Sequence, residues 1–222
     1  MATLIQKKCI ILANGKPPVK SVITNLFNSG YNTLICADGG TNSAGKMGIT
    51  PDFIVGDLDS IDKKYIKLFN KSGIIKKINR QNDTDVEKCL KFAVKKGFTE
   101  AIMIGVTGDR LDHTFCNLGI VLKFFNQLKL KIIAENSFLA AYSGKVELNT
   151  ILQETISLYG FDQKTKITSS GLKYPLKDTT LPFGIRESTS NVAVSNKVNL
   201  NIKGGLIFVV RDYKVMKKNG FI

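Results

Sequence analysis

The first 140 residues alternate short apolar runs with helical patterns, and this alternation limits the folds open to the chain. Each run has the length and composition of a buried strand. The six runs are KCIILAN (8–14), TLICAD (33–38), DFIVGD (52–57), GIIKKIN (73–79), AIMIGV (101–106) and KIIAE (131–135). Strands that alternate with helices are typical of a mainly parallel sheet with helices on both faces. We therefore predict an α/β, Rossmann-like domain over residues 1–140.

Two helices of this region have clear sequence signals. Thr84 and Glu87 form a capping box, and the segment VEKCLKFAV that follows has one apolar face, ended by Gly97. A second apolar stripe at helical spacing consists of Leu111, Phe115, Leu118, Leu122 and Phe125. Both patterns predict helices between the strands.

After about residue 140 the sequence changes to short, β-branched segments separated by turn residues. These segments are TISLYGF, KITSSG, STSNVAVSN, VNLNIKGG and LIFVVRDY. In NIKGGLIF, Gly204-Gly205 predicts the bend of a hairpin. We predict a second domain over residues 141–222 that is all-β, a small sandwich or barrel.

The charge and cysteine content narrow the classes of function. The chain carries 32 Lys and Arg against 18 Asp and Glu, for a net charge of +14. The Lys pairs are spread along the chain, which favours a solvated surface over a contiguous nucleic-acid-binding face, although a nucleic-acid-binding protein stays an alternative. Four cysteines without a CxxC pair suggest buried thiols in a reducing compartment. Since no apolar run suits a secretory signal or a membrane span, we expect a cytoplasmic protein without membrane or nucleic-acid partners.

Acidic residues concentrate where ligands are expected to bind. Ten of the eighteen lie in residues 36–62, 83–87 and 109–112, which follow the carboxyl ends of predicted strands, where open parallel sheets bind ligands. Asp57 and Asp59 form a D-x-D pair whose side chains share a face in extended backbone, and Asp85 offers a third oxygen. Clustered carboxylates on a basic protein predict a Mg²⁺ site and phosphate chemistry. A turn at the pair and a helix-dipole contact at Asp85 explain the same residues without metal.

Other residues have a functional and a structural interpretation. Gly39-Gly40 lets backbone N–H groups approach a phosphate, or makes a tight turn. Arg110 can clamp a phosphate or pair with its acidic neighbours, and His113 can contact a nucleotide or bond within the start of a helix. Tyr174 can stack on an aromatic ligand or lie half-buried at an edge. STSN (188–191) also fits a polar turn.

Taken together, these motifs resemble the thiamine pyrophosphokinase family in its bacterial type. The resemblance rests on ADGGTN (37–42), GITPDFIVGDLDS (48–60), QNDTD (81–85), GDRLDH (108–113), SSGLKYPL (169–176), FG (183–184) and STSN (188–191). It implies a nucleotide-binding catalytic domain over 1–140, a β-sandwich thiamine-binding domain over 141–222, and a homodimer. It also implies transfer of a diphosphate group from ATP to the hydroxyl of thiamine, which gives thiamine diphosphate and AMP. Another Mg²⁺-dependent kinase with a different small alcohol as acceptor is the alternative.

The resemblance further implies roles for individual residues. The catalytic residues would be Asp57, Asp59, Asp85 and Arg110, of which the three aspartates would hold Mg²⁺. Nucleotide contacts would come from Asp38, Asn42, Arg110, Asp112 and His113. Thiamine contacts would come from Gln81, Thr168, Tyr174, Ser190 and Asn191. Tyr174 stands where eukaryotic members carry Trp, and an aromatic ring there can cover the thiamine ring.

Overall fold

The chain forms two compact units, Met1–Ala134 (unit 1) and Glu135–Ile222 (unit 2). The computed structural model describes residues 6–70, 74–78, 82–108 and 110–222. The division therefore follows Ala134, whereas residue 140, after which the sequence places the boundary, lies inside the strand Ser137–Asn149.

Unit 1 is an α/β domain with a parallel sheet, which confirms the predicted fold class for this part of the chain. Its strands are β1 (Lys8–Leu12), β2 (Leu34–Ala37), β3 (Phe53–Gly56), β4 (Ile75–Lys77), β5 (Glu100–Ile104) and β6 (Lys129–Ala134). Its helices are α1 (Lys20–Asn28), α2 (Gly40–Lys46), α3 (Lys63–Asn70), α4 (Asp85–Lys95) and α5 (Leu111–Lys123). Residues 73 and 79 of the run GIIKKIN lie outside the described residues. The central strands are buried along their whole length, as their apolar runs predict.

The strand order fixes where a ligand can bind. The strands lie in the order β6-β5-β1-β2-β3-β4 and all neighbours are parallel. The chain moves outward in one direction from β1 to β4 and then returns to the other side of β1 with β5 and β6. The loops after β1 and β5 therefore leave the sheet in opposite directions, which opens a crevice at the carboxyl ends of these two strands.

Helix α4 has the predicted cap and the predicted buried face. Thr84 Oγ1 accepts a hydrogen bond from Glu87 N at 3.2 Å, and the buried side chains include Val86, Cys89, Leu90 and Ala93. In a full capping box the Glu87 carboxylate would also accept a hydrogen bond from the Thr84 backbone N–H. Here the Glu87 carboxylate pairs with Lys91 and Lys123 instead.

The predicted apolar face of α5 is wrong. Leu111 and Phe115 are exposed, whereas the buried residues of this helix are Asn117, Ile120 and Val121. Asn117 is buried because its side-chain amide donates to the carbonyl of Val106 at 2.7 Å. A polar residue thus lies on the face that packs on the sheet.

Unit 2 is an antiparallel β domain, as predicted. Its elements are β7 (Ser137–Asn149), β8 (Thr155–Tyr159), β9 (Lys166–Ser170), β10 (Thr179–Thr180), β11 (Ser188–Val192), β12 (Lys197–Asp212) and the short helix α6 (Tyr213–Lys218), which the sequence analysis missed. The long strands β7 and β12 pair with each other; β9 joins the first part of β12 and β8 joins the last part. The hydrophobic core of unit 2 consists mainly of Leu, Ile and Val side chains, which include Ile156, Leu158, Ile167 and Ile207.

The predicted hairpin at Gly204-Gly205 is wrong, because β12 runs through both glycines. The pairing of β12 with β7 shifts register between Ile202 and Ile207, and Gly204 has a φ of +82°. A Cβ atom at Gly205 would lie 2.1 Å from Thr165 Oγ1. The glycines therefore form an irregularity in a long strand, where the backbone bends and a neighbour approaches closely.

A buried ion pair ties β12 to the segment before β8. Arg211 Nε and one terminal nitrogen donate to the two Glu154 carboxylate oxygens at 2.6 and 2.9 Å, and the same nitrogen donates to the Asn149 carbonyl at 2.6 Å. Both side chains are almost fully buried, so each charge depends on the other for compensation.

Two further expectations concern the thiols and membrane spans. Cys9, Cys36 and Cys89 are buried free thiols as predicted, but Cys116 is exposed. Within the described residues, no helix combines the length and the apolar character that crossing a bilayer requires.

Candidate active site

A cavity of about 610 Å³ lies at the carboxyl edge of the unit 1 sheet. Its walls come from the loops that follow β1, β2, β3 and β5 and from the first turns of α4 and α5. This is the crevice that the strand order predicts, so the cavity follows directly from the topology of the sheet.

Glycines let the loops around the cavity approach one another. A Cβ atom at Gly40 would lie 2.1 Å from the Leu12 carbonyl oxygen, and one at Gly15 would lie 2.4 Å from the Thr107 carbonyl oxygen. Any side chain at these two positions would push the loops apart. The loops after β1, β2 and β5 therefore present mostly backbone to the cavity, as phosphate-binding loops do.

Three carboxylates converge at one side of the cavity. Asp38, Asp57 and Asp59 each place a carboxylate oxygen within 4.8 Å of the others. Asp38 is only 2% exposed, and one of its oxygens accepts a hydrogen bond from Ser60 N at 3.2 Å. Among the described residues, Asp38 Oδ1 and Asp57 Oδ1 are buried without a hydrogen-bond donor. Buried oxygens of this kind are costly unless a cation or donor reaches them.

The backbone around these carboxylates is strained. Asp38 has a φ of 39° and Leu58, between Asp57 and Asp59, has a φ of 74°. Leucine rarely adopts this left-handed conformation, which costs free energy and is common at functional sites. Since β3 ends at Gly56, the D-x-D pair converges through a tight turn and not through extended backbone as the sequence analysis assumed.

Lys88 is a site residue that the sequence analysis missed. Its ammonium Nζ lies 2.8 Å from Asp85 Oδ1 and 3.5 Å from Asp57 Oδ2, and its side chain is 4% exposed. Burial lowers the pKa of Lys88, but the two carboxylates outweigh burial and raise this pKa overall. The spacing from Asp85 to Lys88, three residues on one helix, is the signal that was available in the sequence.

The pKa values of Asp57 and Asp38 shift in opposite directions. Burial raises the pKa of Asp57, yet Lys88 and the Asp59 backbone N–H outweigh burial and hold this pKa below its ordinary value. For Asp38, burial raises the pKa, the Ser60 hydrogen bonds oppose this, and the charges of Asp85 and Asp57 raise it further. The cluster is thus electrostatically crowded at Asp38 and compensated at Asp57.

The predicted metal ligands are only partly brought together. Asp57 and Asp59 belong to the group of close oxygens, in which Asp38 is the third member. Asp85 is not part of that group; it begins α4, lines the same cavity and pairs with Lys88.

Some of the predicted nucleotide-binding residues line the cavity, and others stabilise the loops around it. Arg110 and His113 line the cavity. The Arg110 guanidinium donates to both Asp112 oxygens at 2.9 and 2.6 Å, and this contact holds the pKa of Asp112 well below its usual range. Asn42 supports the loop after β3, because its amide donates to the Ser60 carbonyl and its oxygen accepts from Asp62 N.

The predicted thiamine-binding residues lie in unit 2, except Gln81, which lies outside the described residues. Tyr174 is 62% exposed. Buried Asn191 holds the Tyr174 backbone, accepting from its N–H at 3.1 Å and donating to its carbonyl at 2.8 Å. Thr168 is exposed on β9 and lines a shallow cavity of about 430 Å³, while Ser190 has a φ of 56° and donates its N–H to Ser157 Oγ.

A parallel α/β sheet with a crevice between diverging loops, glycine-lined walls and converging carboxylates is typical of enzymes that move phosphoryl groups. Two family models match the chain: thiamin pyrophosphokinase, catalytic domain, over residues 24–134, and thiamin pyrophosphokinase, vitamin B1 binding domain, over residues 145–207. The chain therefore belongs to the thiamin pyrophosphokinase family. This confirms the predicted family and, with it, the predicted class of enzyme, a transferase that moves a pyrophosphate group to thiamine.

Individual relatives support the same assignment. The chain is 28% identical over 218 residues to thiamin pyrophosphokinase 1 of Caenorhabditis elegans, which covers 91% of this chain and 88% of that protein. It is 24% identical over 213 residues to thiamine pyrophosphokinase of Bacillus subtilis, with coverage of 92% and 99%.

Solved structures share the fold. The crystal structure of thiamine pyrophosphokinase from Bacillus subtilis matches with a TM-score of 0.79 at 22% identity, and covers 93% of this chain and 99% of that one. Thiamin pyrophosphokinase from Candida albicans matches with a TM-score of 0.80 at 16% identity, with coverage of 93% and 89%. Both likenesses support an α/β domain followed by a β-sandwich.

Proposed function

We propose that this chain transfers the diphosphate group of ATP to the hydroxyl of thiamine, releasing AMP, and that the reaction takes place at the cavity of unit 1. The observation that carries the proposal is the convergence of Asp38, Asp57 and Asp59 oxygens within 4.8 Å beside glycine-lined loops. Such transfers depend on placing the nucleophile in line and on neutralising charge on the phosphoryl oxygens.

The carboxylate group fits Mg²⁺ as the ion that supplies this neutralisation. Mg²⁺ prefers oxygen ligands and few protein carboxylates, and the two buried oxygens without donors, on Asp38 and Asp57, are suitable ligands. Asp57 and Asp59 would hold the ion, together with Asp38 or with Asp85, the third ligand that the sequence predicts. When bound, the ion would offset the negative charge of the phosphate oxygens.

Residues around the cavity would bind and orient the nucleotide. Arg110 lines the cavity, and its two hydrogen bonds to the Asp112 carboxylate restrict the orientation of the guanidinium group. His113 lies one turn further along the same wall. Asp38 contributes through the metal group, and Asn42 acts through the loop that it supports. The N-terminus of α4 adds backbone N–H groups whose dipole favours an anion.

The proposed thiamine contacts are those that the sequence predicts, Gln81, Thr168, Tyr174, Ser190 and Asn191. The exposed Tyr174 ring is available to cover an aromatic ligand, and Asn191 fixes the loop that carries it. Thr168 and Ser190 would add polar contacts to the vitamin. Thiamine is itself a cation, so a carboxylate-rich cavity on a basic protein suits its approach.

We also propose that the chain acts as a homodimer in the cytoplasm. The exposed apolar side chains of α5, Leu111 and Phe115, are suited to burial against a second copy. The free thiols Cys9, Cys36 and Cys89 are consistent with a reducing compartment.

The experiment that tests the reaction measures AMP and ADP formed from ATP, with and without thiamine. We expect AMP, formed only when both thiamine and Mg²⁺ are present.

Asp59→Asn should lower kcat by about a hundredfold or more, whereas the matched control Asp62→Asn, on the same loop but outside the close carboxylate group, should keep most of the activity. Formation of ADP, or use of a different alcohol in place of thiamine, would favour the alternative kinase. Unchanged turnover in Asp59→Asn would refute the metal role.

A further inference from the structure

Lys88 places a permanent cation inside the acidic cluster. Lysine is rarely buried without a partner, and Lys88 is buried with two, Asp85 Oδ1 at 2.8 Å and Asp57 Oδ2 at 3.5 Å. It also lines the cavity of unit 1. Asp85 and one side of Asp57 are therefore already neutralised in the protein without ligands.

Asp57 is shared between this ammonium and the open side of the cluster. Its Oδ2 faces Lys88, while its Oδ1 is buried without a donor among the described residues. A divalent cation bound to Asp57 would lie within a few ångströms of the ammonium, where two like charges repel strongly. A cation that also used Asp85 would lie close to the same ammonium, which contacts Asp85 Oδ1, and the repulsion between the two cations favours displacement of Lys88.

Once displaced, the ammonium needs another anion. An unpaired charge is costly in a buried position, and the lysine side chain is long and flexible enough to turn into the cavity that it lines. In a cavity that holds a nucleotide, the nearest anion is a phosphate oxygen.

We propose that Lys88 is an internal counter-ion that competes with the metal ion for Asp57 and Asp85 and moves to a phosphate oxygen when the nucleotide binds. This inference rests on the proposed function. Its consequence is a linkage between two ligands: the metal alone binds weakly, and nucleotide and metal strengthen each other's binding. Lys88 thereby keeps the cluster assembled but only partly charged until the substrate arrives.

Three variants isolate the role of this ammonium. Lys88→Met keeps the length of the side chain and removes the charge, and Lys88→Arg keeps the charge. Lys91→Met is the matched control, because Lys91 lies on the same helix and its replacement by methionine removes the same charge. Lys91 pairs with Asp83 and Glu87 at 2.7 and 2.9 Å, and neither Asp57 nor Asp85 is among its salt-bridge partners.

The experiment titrates Mn²⁺ into the full-length protein by calorimetry, first alone and then with saturating α,β-methylene-ATP, which keeps the charge of ATP but resists cleavage between the α and β phosphates. Without nucleotide, Lys88→Met should bind Mn²⁺ roughly tenfold more tightly than the wild type, because a competing cation is gone. The strengthening of Mn²⁺ binding by the nucleotide should fall several-fold in this variant. Lys88→Arg and Lys91→Met should behave like the wild type.

The outcomes separate this inference from the function on which it rests. A merely structural lysine would give the opposite sign, since its loss would disorder the aspartates and weaken Mn²⁺ binding. Weaker or unchanged Mn²⁺ binding by Lys88→Met, measured beside a wild type that binds the ion, overturns the inference and leaves the proposed metal site intact. A wild type that binds no Mn²⁺ with or without the nucleotide overturns the metal site and the inference together.

Discussion

Replacing Asp38 with asparagine should make the ion-free protein more stable and the enzyme less active. Asp38 is 2% exposed, with one oxygen bonded to Ser60 N and the other without a donor. Asparagine has the same shape and tolerates the left-handed φ of 39° at this position. Its oxygen can keep the bond to Ser60, while its amide nitrogen would face the oxygens of Asp57 and Asp59 as a donor.

The expected gain in stability follows from the distance between the charges. Two carboxylate oxygens that lie within 4.8 Å of each other repel by about 3 kcal/mol or more at an effective dielectric constant of about 20. Asp59 is exposed, so solvent and salt reduce this repulsion. We expect Asp38→Asn to raise the free energy of unfolding of unit 1 by roughly 1–2 kcal/mol at neutral pH.

The pH dependence of stability provides a second test that Asp38→Asn stabilises the protein. The pKa of Asp38 is raised in the folded protein, chiefly by burial, so the folded state binds the proton more tightly than the unfolded state. The native protein therefore loses stability as pH rises from the ordinary value of about 4 through the raised pKa. The advantage of Asp38→Asn should be present at neutral pH and should disappear at about pH 3.

The assay is urea unfolding of the full chain in EDTA at both pH values, followed by thermal unfolding with added Mg²⁺. The wild type should gain more stability from Mg²⁺ than the variant, and kcat of the variant should fall by about tenfold or more. Asp52→Asn is the matched control: Asp52 accepts a hydrogen bond from Leu34 N at 2.8 Å, and asparagine keeps the acceptor without its charge, so this change should lower stability by about 1 kcal/mol or less. An Asp38→Asn protein that is less stable than the wild type at neutral pH in EDTA would refute the reasoning.

Two stability predictions concern other parts of the chain. Arg211→Met leaves the buried Glu154 carboxylate uncompensated and should lower the unfolding free energy of unit 2 by about 3–5 kcal/mol in urea; the pair is unimportant if this variant unfolds like the wild type. Gly40→Ala puts a Cβ atom 2.1 Å from the Leu12 carbonyl oxygen and should destabilise unit 1 by several kcal/mol, of the order of other backbone strain. Gly119→Ala, in a helix and with nothing within 4 Å of the added atom, should instead stabilise by about 0.5–1 kcal/mol; equal effects of the two alanines on thermal unfolding would contradict the steric explanation.

The parallel sheet could be predicted from the sequence because its central strands are buried on both faces. Such strands are short apolar runs, and the buried residues of β1, β2 and β5 are apolar apart from Glu100 at the start of β5. Their carboxyl ends had to meet at one edge, so the convergence of the loops after them followed from the strand pattern. The exact set of neighbouring oxygens did not, because it depends on the left-handed turns at Asp38 and Leu58. Leucine rarely adopts this conformation, and aspartate adopts it too seldom for one Asp to predict a turn.

The face of α5 shows a different limit. The sequence contains two overlapping sets at helical spacing, one through Leu111 and Phe115 and one through Asn117, Ile120 and Val121. A search for apolar periodicity chooses the first set, because Asn117 counts against the second. The hydrogen bond from Asn117 to the Val106 carbonyl reverses this choice, and it depends on a loop that no local pattern describes.

The sequence analysis missed Lys88 for a related reason. Lysine is usually a surface residue, and a protein with a net charge of +14 contains many lysines. Its ammonium group is nevertheless internal, because it pairs with Asp85 and Asp57. Without this ammonium, the close carboxylates of Asp38, Asp57 and Asp59 and the neighbouring Asp85 would repel one another. The ammonium compensates Asp57 and Asp85 before any ligand binds. The remaining imbalance lies at Asp38 and at the free oxygen of Asp57. The site is therefore least stable, and most ready to accept a cation, at the side of the cluster that lies away from Lys88.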